Sequence, residues 1–451
     1  MNPKNTKTKS FEDSDCMNLK AFADDLFNNI QIDNLLSENS VVISLNAKFG
    51  MGKSYFLEMF ENYLKDEKQA ETILINSWKN DFCDEPLIAI CSEIIKYLQE
   101  KTDKKSISIC KQFISLIGIF GDISNQYIDN ITGLNFKEIY DKNKHSIDGN
   151  KIYEQFIAKR NLFDKLNHSI AEYTAKKQLI ILIDELDRTR PDYAINFLET
   201  LKHFFDVKGL IFILAVNKEQ LKQSVECVYG KIDFDEYYRK FAHRDISLPY
   251  SERGINSFII KTVDDFFNKI EVDGKKIGIE KNALKDEGFT LKVYIKEFFI
   301  KFKLSPRQIN QFFRIFLSLL ISETNSITFG YQIASIVYIA IDLYDSEIAK
   351  KILNDQFNYI DILNFLESKN FDLVRIDYRM AKNLLYLFSN ARKDVNSNIE
   401  FFKNKFNGKI EFDPTTSESQ LELGGYNEDS ISPIKSIGKK VLQSKKLFDQ
   451  L

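Results

Sequence analysis

Two short clusters hold residue types that handle phosphate. The first is Gly50-Met51-Gly52-Lys53-Ser54, preceded by Ala47-Lys48-Phe49 and followed by Tyr55. Glycines let a backbone turn tightly enough for several N–H groups to face one anion, and a following helix adds the positive end of its dipole. Lys53 would reach the β and γ phosphates of a nucleotide as a point charge. The Ser54 hydroxyl is a hard oxygen ligand suited to Mg²⁺. Lys48, Phe49, Gly50, Met51, Gly52, Lys53, Ser54 and Tyr55 are therefore the residues expected around a nucleotide. The usual pattern has glycine where this chain has Ala47. A methyl group is tolerated there as long as φ stays negative.

The second cluster is Asp184-Glu185-Leu186-Asp187-Arg188. A carboxylate at the tip of a neighbouring buried strand would hold the Mg²⁺ shell, and Asp184 fits that place. In-line attack of water on a γ phosphate needs a base or a water-positioning group, and Glu185 fits that one. An acidic turn after a core strand is commonplace alone; downstream of a glycine loop it reads as the second half of a site.

Such residues act only if strands and helices bring them together. Residues 41–46 form a β-branched, apolar run leading into the glycine loop. Phe56, Leu57, Phe60, Tyr63 and Leu64 then recur at helical spacing. Apolar runs at 72–76, 178–184 and 209–216 read as buried parallel strands, with a short fifth at 245–248. Helical patterns lie between them, including 84–100, opened by Pro86, and 191–205, opened by Pro191. The alternation describes a doubly wound, parallel-sheet α/β domain. A helix over 18–36, with Leu19, Phe22, Leu26 and Ile30 on a stripe, could lie over a nucleotide base. Beyond Pro249 the strand signal stops and helical periodicity continues, giving an α-helical second domain. The expected layout is a disordered tail at 1–17, the α/β domain at 18–250 with a helical insertion at 101–149, the helical domain at 251–408, and a loose tail at 409–451. Only the basic amphipathic stretch 434–451 departs from the looseness of that tail.

Composition removes several classes of function. Among 451 residues, 62 basic side chains nearly balance 65 acidic ones, so no global basic signature points to nucleic acid. The five cysteines form no CxxC, and their odd number forbids a complete disulfide framework; reduced thiols in a cytoplasmic protein are expected. The polar start of the chain has no apolar core of a signal peptide. The apolar run at 113–120 falls well short of the about 20 residues a span requires. A core or re-entrant segment is expected there, with membrane contact as the lesser alternative.

The two clusters and their surroundings resemble the KAP family of P-loop NTPases, within the STAND and AAA-like group. The shared marks are Asn76-Ser77-Trp78, Asp184-Glu185-Leu186-Asp187-Arg188, Asn217-Lys218-Glu219-Gln220-Leu221 and Ser305-Pro306-Arg307-Gln308-Ile309-Asn310. The resemblance covers about residues 18–320. It implies a Mg²⁺-dependent ATPase or an ATP-gated switch. ATP over GTP rests on the resemblance, since Asn217-Lys218-Glu219-Gln220 lacks the final aspartate of a guanine-reading pattern. The resemblance implies that Asn217 senses the γ phosphate, with an ordinary helix-start asparagine as the alternative. It implies that Arg307 acts as a second sensor, with a surface arginine as the alternative. Arg188, Arg190, Arg239 and Arg244 are candidates for an arginine finger. Trp78 marks the family, although a lone tryptophan is more often core than ligand. Many relatives carry membrane helices between the two clusters, and bacterial ones often occur in phage-exclusion settings. A protein partner or a second copy, and a role in antiviral defence, are implied in that sense. Two other classes remain open: a nucleotide-locked scaffold with little hydrolysis, and a DNA-tracking motor, which the charge balance disfavours.

Overall fold

A computed structural model describes residues 9–101, 103–120, 149–273, 288–322, 329–354, 356, 359–371 and 433–448. The chain divides into two compact units, Met1–Ser251 and Glu252–Leu451.

The first unit is built on five parallel strands: β1 Val41–Asn46, β2 Glu71–Asn76, β3 Leu179–Asp184, β4 Leu210–Val216 and β5 Arg244–Ser247. Their order in the sheet is β2-β3-β4-β1-β5. The carboxylate strand β3 is thus not the immediate neighbour of the loop strand β1, as the sequence suggests. β4 lies between them, with Asn46 level with Val216 and Asp184 level with Ala215. All three C-terminal ends still open on the same edge of the sheet.

Strand residues alternate between two cores. Leu179, Ile181 and Ile183 of β3 with Phe212 and Leu214 of β4 face one side; Ile180, Leu182, Ile211 and Ile213 face the other. The second face is covered by α2 (Lys20–Leu36) and α3 (Lys53–Asp66), after a short α1 (Phe11–Ser14). In α3, Phe56, Leu57, Phe60 and Leu64 are fully buried and Tyr63 nearly so. Each buried side chain of this kind contributes roughly 1.5–3 kcal/mol, so the helix that follows the loop is firmly seated. The first face carries α5 (Pro86–Gln99), α6 (Lys104–Phe120), α7 (Gly149–Thr174), α8 (Pro191–Phe204) and α9 (Lys218–Tyr229). Two short helices, α4 (Ser77–Asn80) and α10 (Phe234–Tyr238), complete the unit.

One local expectation changes at the start of the chain. Residues 9–17 are placed rather than loose: Phe11 is buried among Phe56 and Tyr63, and Lys9 pairs with Glu58. Residues 1–8 lie outside the described part. The apolar run at 113–120 is the last part of α6, and its Phe113 and Ile114 join the first core, as expected for a core segment. Among the described residues no helix is long and apolar enough to cross a membrane. The remainder of the 101–149 insertion, from 121 to 148, is outside the described part.

The second unit is helical: α11 (Glu252–Asp273), α12 (Gly288–Lys301), α13 (Pro306–Ser322), α14 (Phe329–Tyr344), α15 (Ser346–Leu353), α16 (Tyr359–Ser368) and α17 (Pro433–Phe448). Its core is rich in phenylalanine, with Phe266 stacked on Phe313 at 4.1 Å and Phe299 edge-on to Phe312 at 4.8 Å. α17 belongs to this core. Ile437 and Val441 are fully buried, and Lys445 pairs with the buried Asp342 of α14. The amphipathic stretch that the sequence sets apart from the loose tail is a packed helix of the second unit. The rest of that tail before α17 lies outside the described residues.

Candidate functional site

The glycine loop joins β1 to α3. Gly50 and Gly52 both have left-handed φ, 77° and 89°, values that other residues adopt at a cost. Ala47 keeps a negative φ and its methyl is buried in the α3 core, so the departure from glycine does not disturb the turn. Ala47 N–H donates to the Val216 carbonyl at 3.0 Å, which pins the start of the loop to β4. Lys48 and Phe49 are exposed, and Tyr55 is 40% exposed with its hydroxyl donating to the Ser14 carbonyl.

Lys53 is buried to 8% exposure at the first turn of α3. Its ammonium donates to the Ala47 carbonyl at 2.7 Å and lies 3.7 Å from Asp187 Oδ2. Burial holds the ammonium below the ordinary lysine range, and the charges of Asp187 and Asp184 oppose that fall. Asp184 and Asp187 are shifted the other way: burial raises both carboxyls, while Ser54 stabilises the charged Asp184 and Lys53 the charged Asp187. Lys53, Ser54, Asp184 and Asp187 thus form one desolvated group at the strand ends.

Glu185 follows Asp184 with a left-handed φ of 59°, an uncommon conformation for a non-glycine residue. The turn is closed by its own N–H donating to Asp184 Oδ1 at 2.9 Å. It sends the Glu185 side chain toward β2, where the Asn76 amide donates to Oε2 at 2.9 Å and Arg188 pairs with Oε1 at 2.8 Å. Asn76 is used twice, since its Oδ1 also caps α4 by accepting from Lys79 N–H. Arg188 lies over both Phe49 and Trp78, 5.6 and 5.8 Å from the ring centroids. Trp78 is 52% exposed, so this tryptophan is not core.

Asn217 opens α9 without capping it by its side chain. Its N–H donates to Asp187 Oδ2 at 2.7 Å, and the next N–H, of Lys218, donates to Asn46 Oδ1 at 3.1 Å. Asp187 therefore ties the loop lysine to the start of α9, while its Oδ1 is buried without a hydrogen-bond partner. An unsatisfied buried carboxylate oxygen is costly and marks a place to look for function. Of the finger candidates, Arg190 pairs with Asp84 at 2.6 Å and Arg244 with Asp33 at 2.6 Å, away from the loop lysine. Arg239 is exposed just after α10. Arg307 is exposed at the second position of α13, in the helical unit.

Three carboxylates, Asp184, Glu185 and Asp187, face two cations, Lys53 and Arg188. The donor set of one hydroxyl and one carboxylate suits Mg²⁺, which keeps waters and takes few protein ligands. No cluster of three His, Cys, Asp or Glu able to cage a metal occurs among the described residues. Sequence reasoning missed Asp187 and Asn76 as contacts, and it named Arg188 as a finger candidate without its pairing to Glu185. The only signal for them was their presence in the motifs, which does not say which way each side chain turns. The KAP family P-loop domain matches residues 20–321, about two-thirds of the chain. No curated protein matches it.

Proposed function

The chain belongs to the KAP family of P-loop NTPases, and on that premise we propose that it binds ATP with Mg²⁺ and hydrolyses it slowly to drive a conformational switch. A nucleotide-binding P-loop domain is what the family match supports; ATP, Mg²⁺ and turnover are our reading. The single observation that carries it is the convergence of Lys53, Ser54, Asp184 and Glu185 at one edge of the sheet.

In this reading the loop N–H groups and Lys53 hold the phosphates. Lys53 gives up the Ala47 carbonyl to do so, exchanging a neutral acceptor for a charged one. Ser54 and Asp184 would hold the metal, which supplies neutralisation of charge on the phosphate oxygens. Glu185 orients water for in-line attack and takes its proton. Both of its oxygens are engaged by Asn76 and Arg188, which restrains the side chain from turning toward a water. This restraint is the reason for expecting slow turnover. Lys53→Ala is expected to abolish nucleotide binding in a calorimetric titration, while Glu185→Gln keeps binding and stops phosphate release. Normal turnover by both variants would sink the proposal.

The same restraint on Glu185 favours a second reading, a nucleotide-locked switch. Tight ATP retention with no phosphate release, with and without a candidate protein partner, would select it. Asn217 and Arg307 remain proposed γ-phosphate sensors. Arg307→Ala should weaken ATP and spare ADP; equal loss for both removes it from that role. Antiviral defence is the proposed setting, read from phage plating on cells carrying wild type or Lys53→Ala.

A further inference from the structure

Four residues after β5 end the α/β unit: Leu248, Pro249, Tyr250 and Ser251. Glu252 then opens α11 and the helical unit. This short segment is anchored to the glycine loop at both ends of its turn. Leu248 N–H donates to the Asn46 carbonyl at 2.9 Å, just before the loop, and its side chain is buried in the α3 core. Pro249 fixes its own φ. The Tyr250 hydroxyl then donates to the Met51 carbonyl at 3.0 Å, and both side chains pack against that core. Burial pushes the phenol pKa up, so it stays a donor across the physiological range.

Met51 lies between the two glycines with left-handed φ, the part of the loop with the greatest freedom to rotate. In a trans peptide the C=O and the following N–H point in opposite directions. Fixing the Met51 carbonyl on Tyr250 therefore turns the Gly52 N–H to the other side of that peptide. The Gly52 N–H has no hydrogen-bond partner among the described residues, which leaves it as a donor for an anion. An anion on that N–H polarises the peptide and strengthens the bond its carbonyl accepts, since chained hydrogen bonds reinforce one another.

We infer that Tyr250 is a positioning residue that fixes the Met51–Gly52 peptide for phosphate and so ties nucleotide occupancy to the segment entering the helical unit. The inference rests on the nucleotide-binding reading above. It gives that reading a route through one hydrogen bond, from the loop to Tyr250, and then along the chain to Glu252, that needs no side chain from the helical unit. Coupling of this kind is reciprocal: a change that releases Tyr250 weakens nucleotide by the factor by which nucleotide holds Tyr250.

The test uses the full chain with Tyr250→Phe, which keeps the ring and removes one hydroxyl. Binding of Mg·ATP and Mg·ADP is measured by calorimetry, and amide hydrogen exchange is followed over 248–256. Loss of one such bond corresponds to about fivefold in affinity. Both nucleotides are expected to bind about fivefold more weakly, since the contact is to the loop and not to the γ phosphate. Nucleotide should slow exchange over 248–256 in wild type and not in Tyr250→Phe. If wild type and Lys53→Ala both fail to bind, the nucleotide reading falls and this inference with it. If wild type binds, Lys53→Ala does not, and Tyr250→Phe matches wild type in affinity or in exchange, the inference alone is overturned.

Discussion

The two units bury charge in different ways. In the α/β unit Lys53, Asp184 and Asp187 lie together at the strand ends, each less than 9% exposed, and one oxygen of Asp187 has no partner. In the helical unit the buried acid among the described residues is Asp342, matched by Lys445 of α17 and surrounded by an aromatic core. A buried pair matched one to one acts as a fastener between helices. A buried group with unequal numbers of acids and bases, left partly unsatisfied, is costly to keep and is where function is expected. Both arrangements pay desolvation; the bare oxygen of the first, Asp187 Oδ1, has no cation on it, whereas the Asp342 oxygen faces the Lys445 ammonium.

The largest effect that tests this contrast is expected for Asp187→Ala. It strips the Asn217 N–H of its acceptor and Lys53 of its nearest counter-charge. Breaking a buried ionic contact costs about 3 kcal/mol, read in urea unfolding, and nucleotide affinity should fall as well. Lys445→Met is expected to cost about 2 kcal/mol, since Lys445 is partly exposed while Asp342 is left buried alone. Nucleotide affinity should not change in that variant; a loss comparable to that of Asp187→Ala would erase the distinction between fastener and site.

Gly438→Ala comes next. A Cβ there would lie 2.8 Å from the buried Tyr338 ring and would also meet Leu353. Overpacking of this kind costs typically 1–3 kcal/mol; with the Leu353 side chain free to shift, about 1.5 kcal/mol is expected in the same unfolding assay. No loss would mean that α17 is loosely held. The smallest stability change belongs to Asn217→Ala. Its side chain caps nothing, so unfolding should move by less than about 0.5 kcal/mol, while phosphate release falls at least tenfold if Asn217 senses the γ phosphate. A stability loss near 1 kcal/mol with normal turnover would return it to an ordinary helix-start role.

Local features were legible from the residues alone. The glycine loop, the buried strands and the amphipathic face of α3 follow from spacing at two and at three to four residues, which neighbours along the chain enforce by themselves. Phe56, Leu57, Phe60, Tyr63 and Leu64 form the buried face of α3 for that reason. Packing partners were harder to read: Phe11 and the 433–448 stretch show isolated apolar signals in polar surroundings. Their burial depends on partners far along the chain, such as Tyr63 for Phe11 and Tyr338 for Gly438.

The sequence by itself determined that one loop of this chain is shaped for phosphate and that an acidic strand end accompanies it. It did so because both requirements are written in contiguous residues: glycines for φ, lysine for charge, an apolar run for the strand. Only the tertiary structure decided the rest. It set β4 between β1 and β3. It turned Asp187 inward to Lys53 and the Asn217 N–H, and gave Glu185 to Asn76 and Arg188. It left Trp78 exposed and brought Tyr250 back to Met51. Each of these depends on which strand ends are neighbours and on how the chain turns at Glu185. Those are long-range matters that local periodicity does not encode.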